Sequence, residues 1–370
     1  MQAMVPATGF RVCSLPHSDR AAQCEEAHRP LSTSVRIFFI QVSGKGNSSV
    51  STTISTAEAT RTRPLAPVIS ISPVVISAPR RPVALQVRVS APATGHALPI
   101  LLLSHGDSRS TNLSSLNGYA PLANFWAAHG FVVMQPTHLD SPSLGLPRHG
   151  PEAPLYWRSR VEDMKYILDR LGFIEAYIPA LSDRLDRSRI AVAGHSMGAH
   201  TAAMLLGARQ VDPDNGTEVD LTEPRIKAGV LLSAPGGGGT HLTAFATRYY
   251  SFFMGSRFAE MKTPTLVVAG DQDISAHLTA RGADWHADPY VMSTGPKCLV
   301  TLYGAGHCLG GISGYDAGET TDEDPDRLGA VQQLTWAYLR TALYPRDDAW
   351  SGACATLLHP SSRLGCVESK

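Results

Sequence analysis

Arg189 to Leu206 reads RIAVAGHSMGAHTAAMLL. Arg189 to Ala193 is a short apolar, partly β-branched run, Gly194-His195-Ser196-Met197-Gly198 interrupts it, and Ala199 to Leu206 is rich in helix formers. The pattern predicts a strand, a sharp turn and a helix. A serine forced onto so tight a turn needs small neighbours, here Gly194 and Gly198, so that backbone and side chain clear each other. Ser196 then stands exposed above the sheet as a candidate nucleophile. The N–H of Met197, at the start of the helix, is placed to stabilise a developing oxyanion. A bare G-x-S-x-G is also a common chance pattern, a glycine-softened turn with a solvated serine. The flanking strand and helix give it weight, and a base and an acid must follow in suitable places.

Working outward, apolar strand candidates occur at 100–103, 131–135, 190–193, 229–232, 265–269 and 299–302. Helical periods lie between or after them at 119–129, 157–171, 199–208 and 327–343. Two β-branched runs, 68–77 and 83–89, flank a Pro-Arg-Arg-Pro turn and predict an antiparallel edge. Apolar strands alternating with helices indicate an α/β domain with a mostly parallel central sheet and helices on both faces. In such sheets ligands bind beyond the carboxyl ends of the strands, so the chemistry is sought there.

The strand at 100–103 ends in Ser104-His105-Gly106-Asp107-Ser108. Gly106 permits a sharp turn and the N–H of Asp107 is the candidate second oxyanion donor; His105 is read as structural. The strand at 131–135 ends in Pro136-Thr137-His138-Leu139-Asp140, a pocket wall with a polar rim. His138 and Asp140 are metal-ligand types, but no third ligand stands at a recognisable spacing. Two strands beyond Ser196, the run 265–269 delivers Asp271 and Asp273. A carboxylate at the end of a buried strand suits the residue that orients a catalytic histidine; Asp273 is the choice and Asp271 the alternative. One strand later His307 sits in a glycine-rich loop, placed to act as general base and then acid. Ser196, Asp273 and His307 thus follow the chain order serine, acid, histidine.

The chain has 370 residues, 43% hydrophobic and 17% charged, which is ample for a core. Lys plus Arg and Asp plus Glu each total 32, so net charge offers no argument for nucleic acid or an anionic membrane. The six cysteines form no C-x-x-C pair; Cys354 and Cys366 are close enough in sequence to pair in an oxidising compartment, and Cys308 is read as packing. No apolar run approaches the length of a transmembrane helix, and Val35–Val42 is short and late for a secretory signal, so a cytoplasmic location is expected. Residues 1–64 show no sustained period and contain a Ser/Thr/Gly-rich tract from Ser43 to Thr62. They read as a disordered extension, with residues 65–370 forming the catalytic domain. The acidic stretch holding Asp212, Asp214, Glu218, Asp220 and Glu223 lacks the glycine of a Ca²⁺ loop and is read as a solvated loop.

From Val68 onward the chain resembles the α/β-hydrolase superfamily, through SHGDS (104–108), GHSMG (194–198), AGDQD (269–273) and GAGHCLGG (304–311) together. NFWAAHGFVVMQPTH (124–138) and WRSRVEDMKYILDRL (157–171) make it similar, within that superfamily, to a lid-poor group. That group contains chlorophyllases, platelet-activating-factor acetylhydrolases and cutinase-like polyester hydrolases. The resemblance implies a carboxylic ester substrate, an acyl-enzyme at Ser196, no cofactor and no large lid domain. In the acetylhydrolase and chlorophyllase type the acid follows the strand just after the nucleophile helix. Here that strand reads GVLLSAPGGGG (229–239) and carries no carboxylate, so Asp273 resembles the cutinase arrangement. GHSMGAH replaces the glycine run usual in cutinases, and their tryptophan beyond the sixth strand is missing, so the resemblance does not extend to polyester hydrolysis.

Phe245, Tyr249, Tyr250, Phe252, Phe253 and Met254 form an aromatic segment that reads equally as a pocket wall or as a covering helix in the core. Together with an insertion at 284–295 bearing Trp285 and the loop 310–326, it suggests a bounded apolar pocket for a hydrophobic acyl or alcohol group. Lactonase, thioesterase, amidase or acyltransferase activity would use the same residues, and a hydrolase-fold ligand-binding protein is the alternative of a different class. The expected partner is a small-molecule ester, without nucleic acid or membrane insertion.

Overall fold

Nine strands pair into one sheet: β1 (Val68–Ile76), β2 (Leu85–Pro92), β3 (Leu98–Ser104), β4 (Val132–Pro136), β5 (Leu185–His195), β6 (Ile226–Leu232), β7 (Thr265–Gly270), β8 (Lys297–Leu302) and β9 (Gly365–Ser369). Their order across the sheet is β1-β2-β4-β3-β5-β6-β7-β8-β9. The run from β4 to β8 is parallel throughout, while β1, β2 and β9 pair antiparallel at the two edges. The computed structural model describes residues 65–147, 155–314, 318, 320–359 and 362–370, so the 1–64 extension lies outside the described residues.

The alternation of side chains along each strand divides the core in two. Ile100 and Leu102 of β3 face one hydrophobic cluster, with Val161, Met164 and Ile167 of helix α1 (Trp157–Asp169) and Ala199 and Ala202 of helix α2 (Met197–Leu205). Leu101 and Leu103 face the other cluster, where Val331, Leu334 and Leu339 of helix α3 (Pro325–Leu343) pack with Leu122 and Trp126 of the helix Ala120–Ala128. β3 throughout and β5 from Ile190 to His195 are buried on both faces, as expected for central parallel strands. Helix α3 starts where Asp324 caps it by accepting from the N–H groups of Asp326 and Arg327, with Pro325 in the first turn. Among the described residues no helix is long and apolar enough to cross a membrane.

Several local expectations need correction. The acidic stretch is not simply a solvated loop: Glu218–Asp220 is a strand paired with Arg209–Val211, Asp212 is buried against Arg158, and Glu223 is buried against Arg225 at 2.7 Å. Opposite charges on neighbouring elements offset the desolvation that acidic residues alone would suffer. Trp285, expected to help bound a pocket, is fully buried, its indole N–H donating to Gly237 O at 3.0 Å. The aromatic segment divides between its two readings, with Phe252 and Phe253 in the core and Phe245, Tyr249 and Met254 exposed. Cys354 and Cys366 are not joined by a disulfide. Edge strand β9 and the helix Ala349–Leu357 add to the predicted elements.

Candidate active site

Ser196 lies between the end of β5 and the first residue of α2, with φ 53° and ψ −120°. A non-glycine residue rarely occupies that region, and such strain persists only where the surroundings over-determine it. Here they do. The Ser196 N–H donates to Leu232 O at 2.9 Å, and its carbonyl accepts from Ala199 N–H at 2.9 Å. Both motif glycines sit against backbone: a Cβ on Gly194 would lie 2.0 Å from Gly198 O, and one on Gly198 would lie 2.0 Å from Ser104 O. The sequence motif thus reflects a three-way backbone contact between β5, α2 and the end of β3.

That contact brings in the oxyanion candidates. A Cβ on Gly106 would lie 3.3 Å from Ser196 Cβ, so the turn carrying Asp107 runs beside the nucleophile. Met197 is the first residue of α2, a position whose N–H has no partner within the helix. Asp107 and Met197, the two candidate donors, thus belong to the two elements that meet at Ser196.

His307 and Asp273 come together across the ends of β7 and β8. His307 Nδ1–H donates to the Asp273 carboxylate, 3.0 Å from each oxygen. Asp273 is 2% exposed, whereas the His307 side chain is 41% exposed, so the carboxylate is enclosed and the imidazole open to solvent. Burial alone would push the Asp273 carboxyl up, but contacts with His286 and His307 outweigh it and hold the group well below the usual carboxylate range. Asp271, the alternative acid, is used otherwise: its Oδ1 accepts the Gly304 N–H at 2.7 Å and ties β7 to the glycine-rich loop. Cys308, next to His307, is buried as packing.

His195 links these parts in a way the sequence does not reveal. Its Nε2–H donates to the His307 carbonyl at 2.8 Å, which leaves Nδ1 to accept from the Tyr119 hydroxyl at 2.8 Å. The Tyr119 oxygen in turn accepts the Gly106 N–H at 3.1 Å. One neutral imidazole therefore joins the His307 loop to the turn at Gly106. Burial lowers the His195 pKa to about 3, which keeps the ring neutral through the physiological range. Ser233 Oγ–H also donates to His307 O, at 3.1 Å.

Behind the turn at Gly106 lies a buried polar network. Arg160 meets Asp140 with two hydrogen bonds of 3.1 and 2.6 Å and donates to His105 O at 2.7 Å. His138 donates from Nδ1 to Asp163 at 2.8 Å and accepts at Nε2 from Ser104 Oγ at 2.9 Å. Arg81 completes the set by pairing with Asp163. His138 and Asp140, considered above as metal-ligand types, thus have their polar atoms committed to Asp163, Ser104 and Arg160. His105 is structural, its Nδ1–H donating to Gly106 O at 2.8 Å and its Nε2 accepting the His138 N–H at 3.1 Å. Arg160 and Asp163 lie in the predicted helix 157–171; two charges on its buried face were the available signal for this network.

Asp273, His286 and His307 have ligand atoms within 4.8 Å of one another and could share a metal ion. A cavity of about 400 Å³ lies toward the β1–β2 edge, where Gln86, Arg88, Asn117 and Thr137 line it; none of the predicted site residues does. The fold and site together define an α/β protein in which a serine on a strained turn, a histidine–aspartate pair and two candidate N–H donors follow the carboxyl ends of strands in one mostly parallel sheet. No family model matches the chain, and none of the curated proteins searched matches it.

Proposed function

We propose that the protein is a serine hydrolase of the α/β-hydrolase type that cleaves carboxylic esters of a hydrophobic small molecule through an acyl-enzyme. The observation that carries this reading is the placement of Ser196 at φ 53° between β5 and α2, at the carboxyl ends of the strands where the Asp273–His307 pair also lies. The chain order serine, acid, histidine and the turn after β3 supplying a second N–H support it further. Ser196 Oγ attacks the ester carbonyl while His307 Nε2 takes its proton; Asp273 holds the His307 tautomer and stabilises the imidazolium. The N–H groups of Met197 and Asp107 receive the oxyanion. Collapse of the tetrahedral species expels the alcohol, protonated by His307, and water then attacks the acyl-serine with His307 as base. Thioesters, lactones and amides would use the same machinery.

The test is turnover of p-nitrophenyl esters of increasing acyl length. The proposal expects multiple turnovers with a chain-length optimum. A folded protein that turns over no ester in the series, or that reacts once and retains the ligand, would overturn the esterase reading in favour of a ligand-binding role.

A further inference from the structure

Asp273 has a second histidine. His286 lies in the short helical turn Ala283–Ala287 with 1% of its side chain exposed. Its Nδ1 is 2.8 Å from Ala234 O, and a carbonyl only accepts, so Nδ1 carries a proton. Its other nitrogen, Nε2, lies 3.2 Å from Asp273 Oδ1 and 3.2 Å from Ser275 Oγ. A carboxylate also only accepts, so a ring that donates to both Ala234 O and Asp273 is the imidazolium, whose Nε2 forms an ion pair with Asp273 and has the Ser275 hydroxyl as a second polar neighbour. Trp285, fully buried, packs edge-on against the same ring with centroids 5.1 Å apart. The imidazole is therefore fixed before it meets the acid: its far side by the chain after β6, its face by an indole, its near edge by Asp273 and Ser275.

His307 Nδ1 bridges both oxygens of Asp273 at 3.0 Å, so rotation of the carboxylate would lengthen one of these contacts. We propose that His286 is a positioning residue of the triad acid: its Nε2 edge against Oδ1 fixes that rotation, and with it the orientation of His307. This inference rests on the triad reading above. His286 touches no reacting atom and acts through Asp273. A hydrogen bond to a charged group is worth enough that its loss should slow catalysis about tenfold to a hundredfold.

Two isosteric substitutions separate positioning from packing. Asparagine places its amide near the position of Nδ1, so His286→Asn keeps the link to Ala234 and loses the one to Asp273. Glutamine reaches the position of Nε2, so His286→Gln keeps a donor toward Asp273 and loses the link to Ala234. The expected result is a kcat reduced about tenfold to a hundredfold in His286→Asn with KM within about twofold, and largely restored in His286→Gln. The downfield proton resonance of the His307–Asp273 bridge should move in the asparagine variant and return toward its wild-type position in the glutamine one. Equal losses in both variants, a greater loss in glutamine, or no change in either would overturn the proposal. If the wild-type protein turned over no ester, the triad reading would fail on its own, and the resonance would still decide whether His286 orients Asp273.

Discussion

Ser196→Ala should lose ester turnover by about a thousandfold to a millionfold while remaining folded, and His307→Ala should do the same. The expectation follows from how the turn is held. Its hydrogen bonds, from Ser196 N–H to Leu232 O and from Ala199 N–H to Ser196 O, use no side-chain atom, and alanine meets the same φ of 53° that serine already meets. The His307 side chain is 41% exposed, and its own backbone carbonyl, which His195 and Ser233 hold, survives the substitution. The two residues act as one unit, because the serine is a weak nucleophile without the base and the base has no proton to take without the serine. The double variant Ser196→Ala/His307→Ala should therefore be no slower than either single one. The measurement is kcat/KM for one p-nitrophenyl ester across the set, alongside thermal unfolding. Losses that multiply in the double variant would mean that the residues contribute separately, against the mechanism proposed.

Gly198→Ala should destabilise the protein by about 3 kcal/mol or more, enough in a domain of ordinary stability to deplete soluble protein. The added methyl would lie 2.0 Å from Ser104 O, 2.6 Å from Ser104 C and 2.7 Å from His105 O. All three are backbone atoms at the end of β3 and in the turn that carries Asp107, and that turn is held from behind by Arg160 through His105 O. No flexible side chain is available to yield. The start of α2 must move off β3, so whatever folds should also lose turnover. Gly329→Ala gives the contrast: in helix α3 a Cβ at that position meets nothing within 4 Å, and the change should stabilise by roughly 0.5–1 kcal/mol. Denaturant midpoints of the two variants against wild type provide the check. A Gly198→Ala protein of wild-type stability would show that the backbone contact at the turn is looser than described.

The difference between these glycines marks what a sequence can and cannot convey. G-x-S-x-G after an apolar run is legible because strand, turn and helix are local, and the strands 98–104, 132–136, 265–270 and 297–302 stand close to where apolar runs predict them. Asp273 and His307 were legible as residue types at the ends of such runs. The order of strands across the sheet, by contrast, is set by pairings between distant segments, and edge strand β9 carries only a short, partly polar pattern.

The residues that support the site were the least legible. His195 is visible inside the motif, yet its role depends on Tyr119 and His307, 76 and 112 residues away, which decide which nitrogen carries the proton. His286 reaches Asp273 only because its turn folds back under Gly236 and Gly237, and Trp285 looked like a pocket boundary because an isolated tryptophan in a polar stretch gives no sign of burial. The acidic stretch at 212–223 misled in part: Asp214, Glu218 and Asp220 are exposed as read, while Arg158 and Arg225 pair with Asp212 and Glu223 and allow their burial.

The central claim is that Ser196 is an activated nucleophile. Treating the full-length protein with an alkyl fluorophosphonate and locating the adduct by peptide mass spectrometry tests it most directly, since the reagent requires both an activated hydroxyl and an anion site but no knowledge of the natural ester. One adduct per chain is expected, on Ser196, formed about a thousandfold more slowly in His307→Ala. A folded protein that takes up no phosphonate, or that carries it on another residue, would contradict the account.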